Sequence, residues 1–213
     1  MPGLDPLPFD PIAAATVGHY EQRAEAFRQD TRDHDVSQNI AALLRHIAGR
    51  PPFRLLDFGC GPGRDLKTLT ALGHTAIGLD GAATFVAMAR ADTACTVWQQ
   101  DFLRLDLPAA QFDGVFANAS LFHVPGRELA RVLRQLHATL KPGGVLLSSN
   151  PRGQDQEGWY GERYGVFHSL EGWRSLLVEA GFSELEHYYR PAGLPRDQQP
   201  WLVTIWRAIA AAA

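Results

Sequence analysis

The sequence is poor in cysteine, in long apolar runs and in any excess of one charge. Its 213 residues include two cysteines, Cys60 and Cys95. Two thiols far apart, with no second pair, make neither a disulfide framework nor a zinc-binding set. They are expected to stay reduced, and no metal site is expected. No run is long and apolar enough to span a bilayer. The opening residues MPGLDPLPFDP carry prolines at 2, 6, 8 and 11 but no basic n-region and no apolar h-region, so a signal peptide is not expected. A cytoplasmic protein, away from membranes, is the expectation. Lys and Arg number 20 against 23 Asp and Glu, a formal net charge of −3, and the pI is about 6.2. That balance argues against a broad basic surface for nucleic acid.

Hydrophobic residues make up 46% of the chain, enough for one well-cored domain. Residues 1–15 read as a flexible, Pro-rich arm, and the closing AIAAAA as a fraying end. Residues 16–49 read as helical: YEQRAEAFRQ places Tyr20, Ala24 and Phe27 at helical spacing, and TRDHDVS interrupts before SQNIAALLRHIAG resumes. From 50 to 209 strands alternate with helices. The segments FRLLDFG, TAIGLD, CTVWQQD, FDGVFAN and VLLSSN read as strands; ELEHYYR and PWLVTIWRA follow with no helix between them. This order predicts an α/β domain with a seven-stranded, mostly parallel sheet, helices on both faces, and an antiparallel pair at the C-terminal edge.

The first strand runs into LLDFGCGPGRD, where Gly59, Gly61 and Gly63 crowd the turn before a helix. A helix N-terminus offers unsatisfied N–H groups and partial positive charge, and glycines allow close approach of a ligand. The dinucleotide fingerprint needs a third glycine where Arg64 stands, and no G-K-[ST] follows to make a P-loop. Asp80 ends the second strand, 21 residues after Gly59, a spacing that suits a carboxylate for ribose hydroxyls. All of these groups fall on carboxyl ends of strands, where open α/β sheets bind ligands.

From Asp57 to Gly63 the pattern is Asp-x-Gly-x-Gly-x-Gly, and the whole stretch resembles the first motif of the class I S-adenosylmethionine-dependent methyltransferases, in their small, single-domain bacterial form. The likeness runs from about Tyr20 to the C-terminus. It implies a Rossmann-like sheet and S-adenosylmethionine as cofactor, with S-adenosylhomocysteine as product. It also implies a loop of Gly59, Cys60, Gly61, Gly63 and Arg64 under the methionine part, with Asp57 helping to hold the loop and the amino group. Asp80, with Gly81, would take the ribose. Asp101, with Phe102, would accept from the adenine amino group. Asn118 and Ala119, in ANASLFHV, would line the methyl-transfer face.

His123, in the same segment, is the candidate base. The resemblance also makes residues 16–49 a lid over the cofactor, with Tyr20 and Arg32 as groups touching cofactor or acceptor. QEGWYGERYGVFHS lies between the fifth strand and the next helix. It reads as a long loop forming one wall of the acceptor pocket, with Trp159, Tyr160, Arg163, Tyr164 and His168 as binding groups. The expected activity is transfer of a methyl group to a small-molecule acceptor by in-line displacement. Three alternatives stand beside it. Methylation of a tRNA base is opposed by the charge balance. A non-catalytic cofactor-binding module is opposed by the intact loop and Asp80. A nicotinamide dehydrogenase is opposed by Arg64.

Overall fold

The computed structural model describes residues 10–209. Helix α1 spans Pro11–Gln22, with Asp10 as N-cap: its Oδ1 accepts from Ile12 N at 2.9 Å, and Pro11 takes the first helical position, where a missing N–H costs nothing. The arm expected over residues 1–15 therefore gives way to helix at Pro11, and residues 1–9 lie outside the described residues, as do residues 210–213 of the closing alanine run. Two further helices, α2 (Ala24–Thr31) and α3 (Ser37–His46), complete the N-terminal segment.

Strand and helix then alternate: β1 (Arg54–Phe58), α4 (Arg64–Ala71), β2 (Thr75–Asp80), α5 (Ala83–Thr93), β3 (Thr96–Gln99), β4 (Phe112–Asn118), α6 (Gly126–Thr139) and β5 (Leu140–Pro151). The chain continues through β6 (Gln156–Tyr160), β7 (Arg163–Phe167), α7 (Leu170–Glu179), β8 (Phe182–Arg190) and β9 (Trp201–Ala208). The main sheet has seven strands in the order β3-β2-β1-β4-β5-β9-β8. The first five are parallel; β9 runs antiparallel to both of its neighbours.

Both faces of the sheet are covered, which is why its strands read as apolar runs rather than alternations. Successive residues of β1 show it. Leu55 packs with Ile40, Leu43 and Leu66 on the α3–α4–α5 side, and Leu56 packs with Leu129, Val132 and Leu136 on the α6–α7 side. Trp173 is buried under β5 and β9, where its indole N–H donates to Ser148 Oγ and Thr204 Oγ1 at 3.1 and 3.0 Å, so a large apolar group enters without stranding its polar atom.

The segment read as a loop from Gln156 to Ser169 is instead a hairpin. β6 and β7 pair antiparallel through Phe167, with Tyr160 opposite Arg163 across a two-residue turn of Gly161 and Glu162. Gly161 has φ +66°, a conformation that favours glycine at the first turn position. No helix among the described residues is long and apolar enough to cross a membrane.

Candidate functional site

A cavity of about 610 Å³ opens at the carboxyl ends of the parallel strands. It lies across the point where β1 neighbours β2 on one side and β4 on the other, the switch point at which open α/β sheets take their ligands. Helices α1 and α2 roof it, bringing Val17, Tyr20 and Phe27 over the strand ends. Tyr20 and Phe27 pack against Phe85 of α5 at ring separations of 5.8 and 5.2 Å. Glu21 caps α5 by accepting from the Ala83 and Thr84 N–H groups, which ties the roof to the helix below.

The three loop glycines are bare for different reasons. All have positive φ, at +81°, +53° and +92° for Gly59, Gly61 and Gly63. A Cβ on Gly59 would collide with Ser120 Cβ, and one on Gly63 would stand 2.9 Å from Thr93 Cγ2 and 3.1 Å from Ala89, so both are required by the packing of the chain itself. A Cβ on Gly61 would meet only Phe27, at 3.7 Å, and Gly61 faces the cavity. Gly63 does not line the cavity; it serves as N-cap of α4. Cys60 fills the space that Gly78 leaves beneath the loop. Burial pushes its thiol well above the ordinary range, so it is no nucleophile at neutral pH.

Four carboxylates stand at or below this surface in different states. Asp80 accepts from Gly61 N and Ala82 N, both at 2.9 Å, yet burial still pushes its pKa up to about 6. Asp101 accepts from Leu103 N at 2.8 Å through Oδ1, and its Oδ2 is buried with no partner. Phe102 beside it stacks on Phe58 at 4.3 Å and lines the cavity. Asp57 lies beneath the loop rather than on the cavity wall, and its Oδ2 is likewise without a partner. Burial, reinforced by the Asp65 charge and opposed by Arg64, holds its carboxyl well above the usual range. Asp65 does face the cavity and takes a two-point ion pair from Arg64, Nε to Oδ1 at 2.7 Å and Nη2 to Oδ2 at 2.9 Å. Arg64 also donates to the Thr31 carbonyl of α2 at 2.8 Å.

At the end of β4, Asn118 Oδ1 accepts from Asn39 of α3 at 3.0 Å, and Asn39 in turn accepts from the Tyr188 hydroxyl of β8 at 2.9 Å. Ala119 follows with φ +62°, an uncommon conformation for a residue with a Cβ, held by its N–H bond to Ser149 O at 2.8 Å. His123 comes next along this wall. Its Nδ1 lies 2.7 Å from the Tyr164 carbonyl, which can only accept, so the ring proton sits on Nδ1 and the Nε2 lone pair accepts from the Tyr20 hydroxyl at 2.8 Å. Burial, with the Arg163 charge nearby, pulls the imidazole down to about 4. Arg163 donates to Tyr20 Oη at 3.3 Å.

Sequence reasoning and geometry part company on the acceptor residues. Tyr20, His123 and Arg163 line the cavity; Arg32, Trp159, Tyr160, Tyr164 and His168 do not. Arg32 points to solvent and pairs with Asp33. Trp159 and Tyr160 are both exposed, on opposite faces of the hairpin, and pack on Tyr164 and Phe167 respectively. Tyr164 contributes its backbone to His123 rather than its ring to the cavity, and His168 turns to Asp155 at 3.2 Å. Cavity residues that the sequence did not single out include Asp65, Phe85, Ser120, Ser149, Arg190 and Trp201. The acid in GRD was a readable signal. Arg190 and Trp201 enter the site only because β8 and β9 join the sheet beside β5.

Comparison with known proteins fits this geometry. A family model described as a methyltransferase domain matches residues 55–144. The trans-aconitate 2-methyltransferase of Azoarcus sp. (strain BH72) is 36% identical over 116 residues, covering 54% of this chain and 45% of that protein. The malonyl-[acyl-carrier protein] O-methyltransferase of Enterobacter lignolyticus (strain SCF1) is 31% identical over 147 residues, covering 67% of this chain and 54% of that one. The chain thus spans about half the length of these two curated relatives. The solved 1,6-didemethyltoxoflavin-N1-methyltransferase of Burkholderia thailandensis, with 1,6-didemethyltoxoflavin and S-adenosylhomocysteine bound, superposes with a TM-score of 0.77 at 23% identity, over 97% of this chain and 94% of that chain. At that identity the likeness is one of fold. The family match assigns a methyltransferase domain to residues 55–144, and the strand order and glycine loop give the chain the Rossmann-like fold of the class I S-adenosylmethionine-dependent methyltransferases, a family whose methyl donor is S-adenosylmethionine.

Proposed function

We propose that this chain transfers the methyl group of S-adenosylmethionine to a small-molecule acceptor by in-line displacement. The observation that carries the proposal is Asp101 Oδ2, buried and without a partner at the end of β3, in one cavity with Asp80 and the glycine loop. A buried acceptor left alone costs about 1–3 kcal/mol. An adenine amino group is the donor that would relieve it. Asp80 would take the ribose hydroxyls on the lone pairs that its backbone bonds leave open, with Gly81 beside it. Gly59, Cys60 and Gly61 would floor the methionine part, with Arg64, Asn118 and Ala119 at its edges. Asp57 would act from below, by holding the loop.

When bound, S-adenosylmethionine supplies a methyl group made electrophilic by its sulfonium. The work left to the chain is alignment and exclusion of water. Helices α1–α3 serve as the lid in this reading, and the Tyr20–Phe27–Phe85 cluster keeps the chamber dry. His123 is uncharged at neutral pH and its Nε2 is occupied, so it orients Tyr20 rather than taking a proton from the acceptor directly. The Tyr20 oxygen is the group presented to the cavity. A cytoplasmic setting belongs to the same reading, supported by the free thiols of Cys60 and Cys95.

The relatives' names, a trans-aconitate and a malonyl-[acyl-carrier protein] methyltransferase, support a small acceptor over a tRNA base. Calorimetric titration with S-adenosylmethionine and S-adenosylhomocysteine tests the proposal, on the protein and on Asp101→Asn. Asn replaces the orphaned acceptor with a donor at that position and is expected to weaken binding about tenfold or more. Absence of binding to the unaltered protein overturns the reading. Incubating cell extract with methyl-labelled cofactor, followed by mass analysis of the labelled product, then identifies the acceptor.

A further inference from the structure

The cavity has two chemically different halves. Above β3, β2 and β1 stand Asp101, Asp80 and the glycine loop. Beyond β4, above β5, β9 and β8, stand Ser149, Trp201 and Arg190, with Pro191 closing the edge. Arg190 and Trp201 are register partners across β8 and β9, which sets their Cβ atoms roughly 5 Å apart, and both line the cavity.

Arg190 is held without a direct ion pair, although the Asp35 carboxylate feels its charge. Its Nη2 donates to the backbone carbonyl of Asp35 at 2.6 Å, and among the described residues no carboxylate pairs with it within 4.0 Å. The Asp35 carboxylate is turned to Ser37 N at 2.9 Å. Arg64, by contrast, is matched by Asp65 at both ends of its fork. A guanidinium has five N–H donors, and one anchoring bond leaves most of the fork open to a planar oxyanion. The cofactor's own carboxylate is a poor candidate for that partner. β8 lies four strand spacings from β1, about 19 Å at ~4.8 Å per strand, while the methionine part is expected at the β1 loop.

We propose that this half of the cavity binds the methyl acceptor through an oxyanion, carboxylate or phosphate, on a flat apolar body, with Arg190 pairing the oxyanion and Trp201 packing against the body. The proposal rests on the methyltransferase reading of the other half. The oxyanion is an anchor, and the atom that accepts the methyl group lies elsewhere on the molecule.

The test is calorimetric titration of benzoate, phenyl phosphate and neutral benzamide into the full-length protein saturated with S-adenosylhomocysteine. At least one oxyanion is expected to bind about tenfold or more tightly than benzamide. Arg190→Gln should reduce that oxyanion to the level of benzamide while S-adenosylhomocysteine affinity stays unchanged and Tm falls by only the few degrees that one lost hydrogen bond costs; Arg190→Lys should retain part of the preference. Benzoate and phenyl phosphate separate the two oxyanion sources. Equal binding of all three probes, or no oxyanion binding, overturns the proposal. So does a preference abolished by Arg163→Gln but not by Arg190→Gln, or loss of S-adenosylhomocysteine affinity in Arg190→Gln. A protein that binds no S-adenosylhomocysteine fails the methyltransferase reading instead, and the same probes titrated into the protein alone still decide the fate of the oxyanion site.

Discussion

The Tyr20 hydroxyl donates to His123 Nε2 across 2.8 Å, joining the roof helix α1 to the turn that follows β4. The bond works only while His123 is uncharged, because a protonated imidazole has no lone pair to accept it. With its folded pKa near 4 and an ordinary value of 6.5, the unfolded chain binds this proton first. Stability from this group is therefore complete above pH 6.5 and is lost as pH falls toward about 4, by about 3 kcal/mol at the lower end. His123→Gln keeps a donor and an acceptor but cannot titrate. Urea unfolding of both proteins across this window should show the parent's advantage shrinking as pH falls. A constant difference would contradict the assignment of His123 as a buried neutral acceptor.

Asp80 predicts the opposite slope. Its folded pKa is raised from 3.8 to about 6, so the folded chain holds a proton that the unfolded chain has released. Stability from this group is present at low pH and falls as pH rises through that window, by roughly 2–3 kcal/mol. Asp80→Asn adds a pH-independent offset, since its amide cannot accept from both Gly61 N and Ala82 N. Relative to this variant, the parent should gain stability between pH 6 and pH 3.8 on acidification. The same unfolding series measures it, and a parent that loses ground on acidification would refute the raised carboxyl.

The hairpin yields a prediction that separates exposure from contact. Trp159 is 51% exposed and lies outside the cavity, whereas Arg163, four residues on, faces into it beside Tyr20. Trp159→Ala should leave S-adenosylhomocysteine affinity unchanged and lower stability by less than about 1 kcal/mol, because half of the ring already lies in water. Arg163→Ala should leave the fold intact, and it removes a charge that disfavours protonation of His123, so the folded imidazole should protonate more readily and the acid loss of stability described above should be smaller and end at higher pH. Calorimetry and unfolding on the two variants check both.

The seven strands and their helices were legible because the central parallel strands β1, β2, β4 and β5 are largely buried on both faces and read as short apolar runs, while β3, at the sheet edge, is only partly buried. The strand-end positions of the residues proposed for the cofactor were legible for a related reason. Asp57, Gly59, Asp80 and Asp101 sit at the ends of strands β1, β2 and β3, close to the runs that mark them. The hairpin was not legible. Its strands, QEGWY and RYGVF, show no regular apolar alternation and bury only Gly165 and Val166, so the pattern is weak. Arg190 and Trp201 escaped for a topological reason: their place at the cavity follows from β9 inserting between β5 and β8, a strand order that local pattern does not carry.

The glycine loop supplies the most discriminating experiment on the cofactor half. An L side chain at positive φ costs about 1–2 kcal/mol whatever surrounds it, so Gly59→Ala, Gly61→Ala and Gly63→Ala all share that term. Gly59→Ala and Gly63→Ala add collisions, with Ser120 in one case and with Thr93 and Ala89 in the other, and these neighbours belong to packed elements that cannot move away cheaply. Each of these two variants should therefore lose several kcal/mol in urea unfolding, about 3 or more by the usual cost of overpacking. Gly61→Ala adds only a 3.7 Å contact with Phe27. It should stay folded within about 2 kcal/mol of the parent, while its new methyl group protrudes into the space assigned to the methionine part of the cofactor. The expected pattern is a stable Gly61→Ala protein with S-adenosylhomocysteine affinity reduced about tenfold or more, beside two unstable variants. A stable Gly61→Ala protein with undiminished affinity would show that the cofactor does not lie on this loop.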